Sequence, residues 1–226
     1  MKNLKKYLRL LFLVIGIPAL LMACDQNEPD DSPFVEEDPS DEYVKGPKES
    51  TVLIYAVATN SLGVNLVQDK NEMLIAAESI DLNKNNVLIF ETRFEKYYDY
   101  SSTPIIDLIR LAKVGENEYD WVVEKEFNDG IASLDPNRMT EVIDYVITNY
   151  KADTYGLVFW SHSTATNPYF PASRSVAEKE AEDLPEAYSF GEDRLHSNGD
   201  DFYQMNVEDL AAAVPSGVFN YIWFDS

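Results

Sequence analysis

The stretch Thr154-Tyr155-Gly156-Leu157-Val158-Phe159-Trp160-Ser161-His162-Ser163 is a nearly continuous apolar run that ends on a histidine. A short apolar run bounded by polar residues is typical of a buried strand in a parallel sheet. In open α/β sheets, ligands and chemistry gather beyond the carboxyl ends of such strands. His162, one of two histidines in the chain, is therefore either a functional residue or a structural histidine at the end of a strand.

Three further apolar runs also predict buried strands, namely Val52–Val57, Val87–Phe90 and Val218–Phe224. Apolar residues recur at helical spacing from Leu62 to Ile80, so the first two of these strands flank a helix. A strand–helix–strand order predicts a parallel pair of strands. The last run ends on Asp225, so two predicted strands each deliver polar side chains at a carboxyl end.

The middle of the chain predicts a hairpin followed by a helix. The hairpin comprises Ile105–Lys113 and Trp121–Phe127, whose β-branched and aromatic residues favour strands over the alternative of a helix from Pro104 to Val114. The helix runs from Asp135 to Asn149, and Asp135-Pro136 is a typical start signal.

The last part of the chain predicts a long loop and a short helix. Ser163–Gln204 is polar, rich in proline and glycine, and predicted to be an irregular loop of the kind that is functional or disordered. A helix from Asn206 to Ala213 follows, with Asn206 as its N-cap. All these elements together predict an α/β fold with a mostly parallel sheet.

Composition narrows the class of function. The chain has 226 residues, 45% of them hydrophobic, and a formal net charge of −22 from 40 acidic and 18 basic residues. Such acidity excludes nucleic acid as a partner, since phosphates require basic surfaces. The negative charge is typical of a solvated surface, and it is also compatible with binding of a cationic substrate or a divalent metal ion. The single cysteine rules out a disulfide within the chain.

The N-terminus has the features of a secretory signal. Leu10–Leu21 is an apolar segment too short to span a bilayer, and it ends on Leu21-Met22-Ala23-Cys24. The basic residues before it are Lys2, Lys5, Lys6 and Arg9. Leu21-Met22-Ala23-Cys24 resembles the bacterial lipobox, so we predict a lipoprotein signal peptide at 1–23 and lipidation of Cys24. The alternative is a plain signal peptide with an incidental cysteine.

Residues 24–50 are acidic and rich in proline and serine, which predicts a disordered tether. The folded domain is predicted to span 51–226. The signal and the tether together predict a protein of the bacterial cell envelope, anchored by lipid to the outer membrane or the cell surface.

Two stretches carry a resemblance to a known family. Tyr155–His162 resembles the histidine motif of the clostripain family of cysteine peptidases, a caspase-like group. Val218–Ser226 resembles the second motif of that family, in which an apolar strand runs into Phe-Asp-Ala-Cys. Weaker similarities support both and cover Asp69–Met73, Lys151–Asp153 and Tyr188–Asp193. The resemblance spans Thr51 to Ser226.

The resemblance implies a caspase-like three-layer sandwich, incomplete at its C-terminal side, and a set of roles. His162 is implied as the catalytic acid or base, and Asp225 as the carboxylate that binds a Lys or Arg side chain before the scissile bond. The backbone N–H of Ser163 is implied as an oxyanion donor. Members of the family are often cleaved between the two motifs, where the basic residues are Arg174, Lys179 and Arg194. Some members use calcium, but no loop here has a recognisable calcium-ligand spacing.

Three departures from the family pattern shape the expected function. Ser163 stands where the family usually has glycine, and Ser226 stands where it usually has alanine. The nucleophilic cysteine would follow Ser226, and Cys24 belongs to the lipobox. We therefore expect an endopeptidase truncated just before its nucleophile and inactive alone, with completion by a C-terminal partner chain as the alternative to a premature end. Val218–Phe224 would then be an exposed apolar edge.

Two other functions are weighed against this one. The first is a non-catalytic surface lipoprotein that keeps the fold as a binding module. The second is a serine hydrolase that uses Ser226, which lacks the surrounding Gly-x-Ser-x-Gly elbow.

Overall fold

The computed structural model describes residues 47–97, 99–163, 189–198 and 201–225. The predicted signal peptide, Cys24, nearly all of the predicted tether, Arg174, Lys179 and Ser226 lie outside the described residues. Within the described ranges, no helix is both long enough and apolar enough to cross a bilayer.

The described residues form eight strands and three α-helices, with one 3-10 turn at Ala77–Ser79. The first half of the chain contains β1 (Lys48–Ala58), α1 (Gly63–Ala76), β2 (Asn85–Phe94), β3 (Pro104–Gly115) and β4 (Glu118–Glu126). The second half contains α2 (Pro136–Asn149), β5 (Ala152–Trp160), β6 (Ser189–Asn198), β7 (Asp201–Asn206), α3 (Val207–Ala213) and β8 (Tyr221–Asp225).

Six of these strands form one mixed sheet in the order β4-β3-β2-β1-β5-β8. β2, β1, β5 and β8 are mutually parallel, whereas the β3–β4 hairpin adds antiparallel strands at one edge. β6 and β7 pair antiparallel in a second, two-stranded sheet. The predicted α/β class, the mostly parallel sheet and the hairpin are therefore confirmed.

Alternating side chains of β1 divide the core into two layers, as expected for a strand with helices on both faces. Leu53, Tyr55 and Val57 pack with α2 and α3 in the larger cluster. Ile54, Ala56 and Ala58 pack on the opposite face, with Leu66 of α1 and Trp160 of β5. We call this second face the α1 face of the sheet.

Helix starts follow the sequence signals. Asp135 caps α2, because its carboxylate accepts a hydrogen bond from the N–H of Asn137 at 2.8 Å and Pro136 occupies the first turn. Asn206 caps α3 in the same way, accepting from the N–H of Asp209 at 2.7 Å. α1 ends at Ala76, four residues before the predicted Ile80, because the chain tightens into the 3-10 turn there.

The prediction for β8 was wrong at its start. The strand begins at Tyr221 rather than Val218, since Gly217 has a φ of 75° and the chain turns there. Asn220 then joins the strand to β5: its N–H donates to the carbonyl of Tyr155 at 2.8 Å, and its side-chain oxygen accepts from the N–H of Tyr155 at 2.9 Å.

A glycine of β5 accommodates the first residue of β8. Gly156 pairs with Tyr221, and a Cβ at position 156 would overlap the ring of Tyr221. The ring therefore lies directly over the glycine, and a larger residue at position 156 would require the ring to move.

The prediction of an irregular loop over Ser163–Gln204 was also wrong for its described part. Residues 189–198 and 201–206 form the β6–β7 hairpin, which packs on the core through Phe190 and Met205. Its polar residues do not alternate cleanly with apolar ones, so the strand pattern was hidden. The pairing contains register shifts that break the period of two.

Candidate active site

The carboxyl ends of β5 and β8 lie side by side. The two strands pair in parallel, and Trp160 of β5 is the register partner of Asp225. The N–H of Ser161 donates to the carbonyl of Asp225 at 3.3 Å. The structure therefore places the two residues singled out by the sequence, His162 and Asp225, at one edge of the sheet, where α/β folds bind ligands.

The imidazole of His162 has one hydrogen-bond partner among the described residues. The Oγ of Ser61 lies 2.9 Å from its Nε2. Ser61 follows β1, the strand next to β5, so a third strand end contributes to the same edge. The sequence analysis missed Ser61, although its position just beyond a predicted parallel strand could have drawn attention to it.

Two buried polar side chains fix the backbone under this contact. Ser161 is 1% exposed, and its Oγ donates to the carbonyl of Val57 at 2.7 Å. Asn60 is 3% exposed, accepts from the N–H of Leu62 at 2.8 Å and donates to the carbonyl of Glu192 at 2.8 Å. Buried polar groups with such partners hold a turn in one conformation.

The β6–β7 hairpin holds the backbone of the histidine itself. The N–H of Gly191 donates to the carbonyl of His162 at 2.9 Å, and Ser163 forms an isolated bridge with Phe190. Gly191 has a φ of 82° and packs against Leu134, so glycine is required on both grounds. The oxyanion role of Ser163 stays a prediction.

A buried carboxylate anchors this hairpin to the sheet. Asp193 is 1% exposed and accepts hydrogen bonds from the hydroxyls of Thr59 and Ser133, both at 2.8 Å, and from Nδ1 of His196 at 2.9 Å. Burial raises the pKa of Asp193, but the bonds from His196 and Thr59 outweigh burial and hold it below its usual value. The bond to Asp193 raises the pKa of His196, against an opposing effect of burial. The second histidine of the chain is thus part of a structural ion pair.

The side chain of Asp225 belongs to the α1 face of the sheet. Its register partner Trp160 packs on that face, and paired residues in a parallel ladder point the same way. The residue before it, Phe224, lies on the other face, where its ring centroid is 5.1 Å from that of Phe159.

A second carboxylate lies on the α1 face near Asp225. Asp69 of α1 accepts a hydrogen bond from the indole N–H of Trp160 at 3.1 Å. Burial raises the pKa of Asp69, the bond from Trp160 lowers it, and the charges of Glu72 and Asp225 raise it further. Neither Asp69 nor Asp225 has a cationic partner within the described part of the chain. This part of the edge is electrostatically suited to a cation.

Another polar cluster lies away from this edge. The carboxylate of Glu91 is 3% exposed and binds Lys70 Nζ at 2.7 Å and Arg93 Nε at 3.3 Å. These residues line a cavity of about 380 Å³ with Trp121 and other residues, and neither His162 nor Asp225 belongs to it. Burial lowers the pKa of Lys70, and the charge of Glu91 opposes that effect.

The calcium implied by the family resemblance finds no matching set of ligands here. Among residues 47–97, 99–163, 189–198 and 201–225, no group of three or more His, Cys, Asp or Glu side chains is arranged to hold a metal ion.

Comparison with known proteins gives consistent matches. The family model described as the clostripain family matches residues 54–179. A secreted C11 cysteine protease from Bacteroides thetaiotaomicron, solved in complex with an irreversible peptide inhibitor, is 32% identical with a TM-score of 0.56. An inactive zymogen C11 protease from Parabacteroides distasonis is 26% identical with a TM-score of 0.55. No curated protein matched the chain.

The alignments cover most of this chain but less than half of each protease. The alignments cover 78% and 80% of this chain, but only 42% of each of the two proteases, so the chain spans less than half of their length. The matches confirm the caspase-like fold predicted from the two motifs.

Proposed function

This chain belongs to the clostripain family of C11 cysteine proteases, and from that premise we propose that it supplies the general base and the specificity carboxylate of an endopeptidase that cleaves after Lys or Arg. The observation that supports this most directly is the parallel pairing of β5 with β8. That pairing brings His162 and Asp225 to the same sheet edge across the Trp160–Asp225 register.

In this proposal His162 takes the proton of a cysteine thiol, and the thiolate attacks the carbonyl carbon of the scissile bond. The backbone N–H of Ser163 donates to the oxyanion that develops on the carbonyl oxygen. The protonated His162 then gives its proton to the leaving amine, and water hydrolyses the acyl-enzyme. A peptide-binding site also agrees with the peptide inhibitor bound to the protease from B. thetaiotaomicron.

Specificity for a basic residue rests on the α1 face. Asp225 would pair with the ammonium or guanidinium group of the substrate, and Asp69 would add negative charge from the same face. A cation bound there would relieve the mutual repulsion of the two carboxylates, which contributes to the raised pKa of Asp69.

The nucleophile is not among the 226 residues, since the one cysteine is Cys24 in the lipobox. We propose that these 226 residues do not cleave peptides without a cysteine thiol supplied from outside them.

The test is to add the remaining half of a family protease, with its cysteine, to the chain and to measure cleavage of fluorogenic peptides ending in Lys, Arg or Gln. His162→Ala should lower kcat by about 10²–10⁴-fold. Asp225→Asn should lower kcat/KM for Lys and Arg peptides at least tenfold more than for the Gln peptide, because a charge pair is lost.

Asp153→Asn, an exposed carboxylate at the far end of β5, is the matched control and should leave the ratio unchanged. Cleavage that survives His162→Ala would exclude His162 as the base. No cleavage with any added half would favour a non-catalytic binding module, for which the exposed apolar side chains of β8 offer a contact surface.

We further propose that the chain is a lipoprotein of the bacterial envelope, anchored through Cys24 and held off the membrane by the acidic segment 24–50. Cys24→Ser should abolish incorporation of labelled fatty acid and move the protein from the membrane fraction to the soluble fraction. Labelling that is unchanged in this variant would contradict the proposal.

A further inference from the structure

The contact between Ser61 and His162 joins two rigid pieces of backbone. Asn60, fixed by bonds to Leu62 and Glu192, sets the turn that carries Ser61. Gly191 fixes the carbonyl of His162. Buried groups thus hold the backbone on both sides of the contact, and Ser61 Oγ lies 2.9 Å from His162 Nε2, although Ser61 itself is exposed.

This contact distinguishes the two ring nitrogens of His162. Nε2 faces Ser61, whereas Nδ1 has no hydrogen-bond partner among the described residues. In a neutral imidazole one nitrogen carries the proton and the other is the base, and the partner of one nitrogen decides which is which.

Resting on the function proposed above, we propose that Ser61 is the positioning residue of His162: its Oγ accepts a hydrogen bond from Nε2–H and leaves the lone pair of Nδ1 to receive the thiol proton. Nε2 carries a proton in both the neutral ring and the imidazolium, so this bond is the same before and after proton transfer. The ring therefore keeps its orientation through the whole cycle. A serine that donated to Nε2 would have to rotate its hydroxyl and reverse the bond whenever the ring became protonated.

A hydroxyl partner also suits the proposed nucleophile. A carboxylate beside the ring stabilises the imidazolium strongly, as in the triads that activate a serine. A thiol ionises far more easily than a serine hydroxyl, so a neutral partner that orients the ring is sufficient. The chain shows both arrangements, since His196 is paired with the carboxylate of Asp193 and His162 with the hydroxyl of Ser61.

The tautomer of His162 tests the proposal without any nucleophile. The full 226-residue chain, labelled with ¹⁵N, is studied by long-range ¹H–¹⁵N correlation at alkaline pH. The wild-type ring should be mainly the Nε2–H form. Ser61→Ala should lower the ratio of Nε2–H to Nδ1–H about fivefold, the effect of one ordinary hydrogen bond. Ser61→Thr, which keeps the hydroxyl, should restore the ratio.

His196 is an internal control in the same spectrum. Its Nδ1 is bound to Asp193, so its signals should be identical in the wild type and in both variants, which also shows that the fold is intact. A wild-type ring that is mainly Nδ1–H, or a ratio that Ser61→Ala leaves unchanged, would overturn the proposal. Failure of the cleavage assay leaves these tautomer results standing, so the two proposals fail separately.

Discussion

The two strands that carry His162 and Asp225 lie side by side but are supported unequally. At the end of β5, Phe159 is 1% exposed and Trp160 is 9% exposed. Their register partners on β8, Phe224 and Asp225, are exposed, as are all five residues of that strand. His162 thus follows a strand held in a packed core, whereas Asp225 lies on a strand held by one ladder of hydrogen bonds and one ring contact.

This difference shows that His162 and Asp225 are supported by different means: buried side chains hold the end of β5, whereas strand pairing holds β8. Next to His162, the buried side chains of Ser161 and Asn60 bind the backbone carbonyls of Val57 and Glu192. Tyr221, Ile222, Trp223 and Phe224 are between 46% and 63% exposed, a contiguous apolar strip of the kind that marks a contact surface.

The largest expected effect comes from truncating one ring on each strand. Phe159→Ala should lower the free energy of unfolding by about 3–5 kcal/mol, because it removes a buried ring and leaves a cavity. Phe224→Ala should cost about 1 kcal/mol or less, since over half of its side chain is already exposed. Urea denaturation monitored by circular dichroism measures both, and equal losses would show that β8 is as well supported as β5.

The next largest effect on stability is expected at Gly191 of the β6–β7 hairpin, which binds the carbonyl of His162. Gly191→Ala should cost about 3 kcal/mol, because it combines a left-handed backbone with a Cβ placed 2.5 Å from Cδ2 of Leu134. Gly217→Ala, before β8, is the matched control: its φ is 75° but the added Cβ meets nothing within 4 Å, so about 1 kcal/mol is expected. Similar losses in the two variants would argue against tight packing at Gly191.

The smallest expected effect is on the pH dependence of stability. The raised pKa of His196 means that its contribution is full below about pH 6.5 and is lost as the pH rises through the folded-state pKa. The lowered pKa of Asp193 means that its contribution is full above about pH 3.9 and is lost as the pH falls through the folded-state pKa. The pair should therefore stabilise most between about pH 4 and 6.5.

His196→Gln should remove the decline of stability on the neutral side, while His162→Gln should keep it. Thermal unfolding at a series of pH values makes the comparison. A neutral-side decline that persists in His196→Gln would assign it to another group.

Much of the sheet could be predicted because its strands are buried on both faces and read as unbroken apolar runs. This holds for β1 and β5, and the helix signals at Asp135 and Asn206 were equally direct. Those features are local in the chain, so composition and spacing suffice to find them.

The β6–β7 hairpin and the role of Ser61 were not predicted, because they depend on contacts between residues that are far apart in the sequence. β6 was missed because its buried polar residue, Asp193, is satisfied by Thr59 and Ser133, 134 and 60 residues away. Ser61 was missed for the same reason, since its partner His162 is 101 residues away. No local pattern identifies which distant residues such a polar side chain binds.

Gly156, which lies beneath the Tyr221 ring, affects the register of β8 against β5. Side chains of a strand alternate between faces, so a slip of β8 by one residue would carry Asp225 from the α1 face to the opposite face. The Tyr221 ring lies where a Cβ at position 156 would be, and Gly156 is the one glycine of β5. This fit selects a single alignment of the two strands. Substitution of Gly156 would therefore weaken the preference for the alignment that puts Asp225 on the α1 face, while leaving His162 and Asp225 themselves unchanged.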